Sequence, residues 1–82
     1  MTKTLHERLR LAKIVLHELR RGPLRRTELE KRTVMHCGTH GTFEGIFHYL
    51  LENGYIQKSG QRHLAPYILT EKGQKFLEGL ST

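Results

Sequence analysis

Apolar positions recur at helical spacing from the start of the chain. Leu5, Leu9, Ala12, Val15, Leu16 and Leu19 fall within one arc at about 100° per residue, which predicts an amphipathic helix with a core-facing stripe. Thr4-Leu5-His6-Glu7 has the form of a capping box at its start, and Gly22-Pro23 is a strong breaker pair at its end. Leu11 and Ile14 lie off the stripe as a second, smaller apolar patch. Leu24 stands alone among basic neighbours, as a one-residue strand or a buried anchor would. Thr27-Glu28-Leu29-Glu30 is a second capping box and predicts a short helix to about Thr33. A loop over residues 34–38 should then tuck Val34 or Met35 inwards. Phe43, Ile46, Phe47 and Leu50 mark the inner face of a third helix, from residue 39 or 40 to 53. It should stop on Gly54, the usual left-handed residue after a helix end. Its opposite face is Gly41, Glu44, Gly45, His48 and Glu52.

Past Gly54 the period shortens. Residues 55–58 (Tyr-Ile-Gln-Lys) and 66–69 (Pro-Tyr-Ile-Leu) are short strand candidates around a polar, glycine-bearing turn, and together they read as a β-hairpin. Thr70 caps a last helix over 71–80, with Phe76, Leu77 and Leu80 on one face. The order is helix, helix, helix, hairpin, helix. It predicts a mostly α member of the α+β class, as one domain spanning residues 1–82.

Two short helices joined by a tight connection and followed by a hairpin form the winged helix-turn-helix plan. Residues 50–56 (Leu-Leu-Glu-Asn-Gly-Tyr-Ile) and 67–77 (Tyr-Ile-Leu-Thr-Glu-Lys-Gly-Gln-Lys-Phe-Leu) carry the likeness. In them the chain resembles the small archaeal winged-helix regulators, including forms found in archaeal viruses. The resemblance spans residues 14–80 and implies a DNA-binding transcriptional regulator whose third helix enters the major groove. Local chemistry supports each motif. Gly54 permits a positive φ, Leu69-Thr70 passes a buried strand residue to an N-cap, and Gly73 lets the last helix approach a neighbour closely.

Charge sharpens this picture. The 82 residues carry 14 Lys and Arg against 8 Asp and Glu, a net charge of +6 with a pI near 9.9, which makes a polyanion the partner to expect. Residues 1–26 hold eight of the basic side chains (Lys3, Arg8, Arg10, Lys13, Arg20, Arg21, Arg25, Arg26) and only two acids. The remaining 56 residues hold six of each sign, so the whole excess lies in the first third. Such lopsidedness suits a docking face better than dispersed solubility charge. Arg20, Arg21, Arg25, Arg26, Lys31 and Arg32 flank the second helix as phosphate-contact candidates. Lys58, Gln61, Arg62 and His63 are candidates for backbone or minor-groove contact from the wing. For base contact the third helix offers Thr39, His40, Thr42, Gly45 and His48.

One departure stands out. Between Thr33 and Gln57 there is no Lys or Arg, so the bidentate Arg–guanine contact has no source in the third helix. A face bearing Gly41 and Gly45 also suits a partner helix, which keeps a protein-interaction module as the alternative function. A structural RNA is a weaker third reading, since no aromatic stacking platform is apparent. Leu11, Ile14, Phe76 and Leu80 supply apolar surface beyond one thin core, and a homodimer is expected through them.

Other chemistry finds little footing. A domain of this size buries only about 60–65% of its unfolded surface and has little room for a deep substrate cavity. No glycine-rich phosphate loop follows a strand, no nucleophile–base pair appears, and Glu44 with His48 at i, i+4 reads as a surface pair. His36, Cys37, His40 and His48 lie close in sequence, but a single Cys and this spacing make them polar loop and groove residues rather than zinc ligands. No cofactor, metal or small-molecule substrate is expected. The lone Cys37 fits a reducing cytoplasm, and no apolar run long enough for a membrane or a signal peptide is present.

Overall fold

A computed structural model describes residues 4–80. Helix α1 spans Leu5–Arg20, α2 Arg26–Cys37 and α3 His40–Glu52. Strands β1 (Ile56–Lys58) and β2 (Tyr67–Leu69) follow, and α4 (Glu71–Leu80) closes the chain. The predicted order and the α+β, mostly helical class are observed, with strand ends within a residue of expectation.

The strands pair antiparallel, Ile56 opposite Leu69 and Lys58 opposite Tyr67. Leu24 is a one-residue third strand. Its amide donates to the Tyr67 carbonyl at 3.2 Å and its carbonyl accepts from the Tyr67 amide at 2.7 Å. This bridge ties the segment before α2 to the root of the hairpin. The Phe47 ring then meets Tyr67 edge-on at 4.9 Å and stacks on Phe43 at 5.6 Å, joining α3 to the same point. Burying a Phe ring of this kind stabilises by roughly 1.5–3 kcal/mol.

Helix α1 differs from its predicted stripe at both margins. It packs against α2, α3, α4 and β2, so its buried arc is wide and runs through Leu11, Ala12, Val15, Leu16 and Leu19. Leu11 is therefore a core residue, 2% exposed, and not part of a second surface patch. Ile14 is half-buried against the same core. Leu5 has the angular position of a core residue but is 74% exposed, at the first turn of α1.

Helix α2 is longer than predicted. Leu29, Thr33 and Cys37, spaced four apart, form its buried line and carry the helix through the segment expected as loop. Thr33 is fully buried because its hydroxyl donates to the Leu29 carbonyl at 2.8 Å. Val34 and Met35 consequently point outward, Met35 being 89% exposed. The start also moves upstream. Glu28 accepts from the Arg25 amide at 3.0 Å, so Arg25, not Thr27, is the N-cap. Gly38, at φ +86°, ends α2 and turns the chain into α3.

At the far side α4 locks onto the corner between α3 and β1. The Thr70 hydroxyl accepts from the Gly73 amide at 2.9 Å and lies 2.7 Å from the Gly54 carbonyl oxygen, to which it donates. Phe76 stacks flat on Tyr55 at 4.1 Å. Gly73 is buried against the Tyr55 carbonyl, the close approach its sequence position predicted.

Candidate nucleic-acid interface

The turn at Gly38 sets α3 beside α2, and polar side chains join the two. Thr39 caps α3, its hydroxyl oxygen accepting from the Thr42 amide at 3.1 Å and donating to the Thr42 hydroxyl at 3.0 Å. Glu44, one turn in, is the centre of an ionic cluster. Arg26 of α2 pairs with it, and His40 and His48 each place Nε2 3.4 Å from one of its carboxylate oxygens. The other ring nitrogen of His40 lies 2.5 Å from Glu30 of α2. The Arg26 guanidinium also covers the Phe47 ring, 5.4 Å from its centre. Glu44 and His48 thus form the expected surface pair, inside a larger cluster that links both helices.

Beyond the Glu44–His48 pair, the sequence showed no sign of this cluster. Arg26 and Glu44 are eighteen residues apart, and Glu30 and His40 lie on opposite sides of a turn, so no local spacing rule connects them.

The remaining outward surface of α3 is bare. A Cβ built at Gly41 or Gly45 meets nothing within 4 Å. His48 and Glu52 complete that face.

The basic residues divide among three surfaces. Arg25, Arg26 and Thr27 at the start of α2 line a groove of about 450 Å³ with Lys58, His63, Leu64, Ala65 and Tyr67. Arg25 faces Arg62 and His63 across an adjoining groove. Arg21 and Arg32 instead bracket Glu18 of α1, at 3.8 and 3.6 Å. Arg20 lines a separate hollow with Ile68, Glu71 and Gln74. Lys31 is exposed on α2, and Lys3 lies outside the described residues. The wing candidates Lys58, Gln61, Arg62 and His63 are all exposed. Of the dimer candidates, Leu11 is in the core, Ile14 and Leu80 are half-buried, and Phe76 is covered on one face by Tyr55. Among the described residues no group of three His, Cys, Asp or Glu side chains is placed to hold a metal ion, and no helix is long and apolar enough to cross a membrane.

Among solved structures, F-93 of SSV1 aligns with a TM-score of 0.67, covering 85% of this chain and 79% of F-93 at 21% sequence identity. The fold is a winged helix. In its terms α2 and α3 are the helix-turn-helix, and the β1–β2 hairpin is the wing. No family model and no curated protein matches the chain.

Proposed function

We propose that this winged helix is a cytoplasmic, non-enzymatic transcriptional regulator that binds double-stranded DNA as a homodimer. The observation that carries the reading is the groove shared by Arg25 and Arg26 with Lys58 and His63, beside α3. Four cationic or protonatable groups gathered in one groove between the start of α2 and the wing suit contact with the phosphates of a duplex. Thr39, His40, Thr42, Gly45 and His48 face the bases in this reading, and Arg20, Arg21, Lys31 and Arg32 extend the basic field around the site. Two subunits related by a twofold axis would set half-sites about one helical turn, ~34 Å, apart. A solution mass of 9.6 kDa rejects the dimer.

Salt titration of duplex binding is the test. Arg25→Gln leaves one phosphate without its cation, and should flatten the log–log salt dependence by ~0.9, equally across DNA sequences. Arg26→Gln should flatten it less, because Glu44 already holds that guanidinium. An unchanged slope in the double variant removes both residues from the interface. The exposure of Met35, together with the acid-bearing outer face of α3, favours a second reading as a protein-interaction module. Absence of any salt-sensitive duplex shift at micromolar protein would select it.

A further inference from the structure

We infer that the outward face of α1 is a second duplex-binding surface, turned away from the wing groove, and that the protein bridges two duplexes through the pair. The inference rests on the duplex-binding reading above and adds a surface to it.

The buried side chains of α1, Leu11, Ala12, Val15, Leu16 and Leu19, occupy one side of the helix. At about 100° per residue, Arg10, Lys13, His17 and Arg20 form a stripe centred roughly 150° away from them. Arg10, His17 and Arg20 are exposed, and Lys13 is half-buried. Both acids of the helix, Glu7 and Glu18, fall roughly 100–120° round from the stripe, so neither lies within it. Among the described residues the Lys and Arg side chains held in ion pairs are Arg21, Arg26, Arg32 and Lys75. The stripe contributes to none of these pairs, and its charge is presented to solvent.

The packing of α1 separates this stripe from the site already described. The wing groove is framed by the start of α2 and by Tyr67 of β2. Both elements pack on α1, and the side of α1 that packing buries is the one opposite the stripe. A duplex seated in the groove leaves Arg10, Lys13 and His17 open to a second.

The make-up of the stripe selects the partner. No apolar side chain lies within it, and Leu9 and Ile14 at its edges are half-buried. A protein interface draws its energy from an apolar or aromatic centre, and a helix lying on a membrane needs an apolar face. Contact with phosphates needs cations alone. From Arg10 to Arg20 the helix rises about 15 Å. A duplex carries roughly nine phosphate charges over that length.

Bridging is measured by loading the protein on a bead-bound duplex and counting a second, fluorescent duplex captured at about 0.1 M salt. Affinity for one duplex is measured separately in solution. The wild type should capture the second duplex. Arg10→Gln combined with Lys13→Gln should lower capture about tenfold or more and flatten its log–log salt dependence by ~1.8, the loss of two phosphate contacts. Affinity of that variant for a single duplex should stay within about twofold of wild type, which also reports an intact fold. A wild type that loads the beads and captures nothing overturns the inference. So does capture that survives in the variant, because two wing grooves of a dimer then do the bridging. Equal losses of capture and of single-duplex affinity overturn it as well, by placing the stripe on the first duplex. Binding to phosphatidylglycerol vesicles or to polyglutamate that depends on Arg10 and Lys13, with no second duplex captured, assigns the face to a membrane or an acidic protein instead. Failure to load the bead-bound duplex at all defeats the DNA-binding reading itself.

Discussion

Two glycine environments in this molecule have opposite causes. Gly73 on α4 lies so close to the Tyr55 carbonyl that a Cβ would run into the oxygen and would also come within 2.8 Å of Leu69 Cδ1. Gly41 and Gly45 on α3 face open space. The fold requires the first glycine and has no use for the other two, since a glycine inside a helix is less stable there than alanine. A surface that comes close to α3 would account for them, and binding by a Gly45 variant tests that account.

The comparison predicts its largest effect at Gly73. Gly73→Ala forces α4 away from the corner where Thr70 binds the Gly54 carbonyl and Phe76 stacks on Tyr55. A backbone carbonyl cannot move aside as a flexible side chain can, so the cost should be about 3 kcal/mol in urea unfolding, the upper part of the overpacking range. A loss under about 1 kcal/mol would show that α4 has freedom to back away from Tyr55 and that the fold does not demand glycine there.

At Gly45 the sign reverses. Gly45→Ala fills no occupied space and should raise stability by about 1 kcal/mol. If a duplex lies against that face, the same variant should bind DNA more weakly while unfolding at higher denaturant. Stability and binding moving in opposite directions is the signature of a residue kept for a partner. Stronger stability with unchanged binding would mean that nothing approaches α3 at that point.

What was legible in the sequence follows the same division between inward and outward causes. The core of α3 (Phe43, Ile46, Phe47, Leu50), the helix end at Gly54, the hairpin and the Thr70 cap were all readable, because each is written in residues close together in the chain. Leu24 could be read as a one-residue strand or a buried anchor, but its partner Tyr67, far along the chain, could not. The end of α2 was not. Its buried line runs through Thr33 and Cys37, and Thr33 can be buried only because its hydroxyl donates to the turn before it. Polarity alone hides that arrangement. Leu11 was misplaced because one helix packed on four elements buries more than a single stripe. At the candidate interface the residue types were readable, but their grouping was not. Arg25 joins the wing, while Arg20, Arg21 and Arg32 turn to other surfaces, a division made by tertiary packing.

The smallest effect is expected at Leu5, which has the periodicity of a core residue and the exposure of a surface one. It lines a shallow hollow with Arg8, Leu9, Ile46 and Tyr49, between the first turn of α1 and the side of α3. In an isolated subunit Leu5→Ala removes little buried area, so unfolding should change by no more than about 0.5 kcal/mol. If the hollow is instead covered by a second subunit, the same substitution weakens the assembly, and its cost grows with protein concentration, because association stabilises by mass action. Unfolding at two concentrations a hundredfold apart separates these cases. A small, concentration-independent change means that the side of α3 next to Leu5 stays open to solvent. A concentration-dependent one places a subunit contact there, next to the helix whose outward glycines the domain itself does not require.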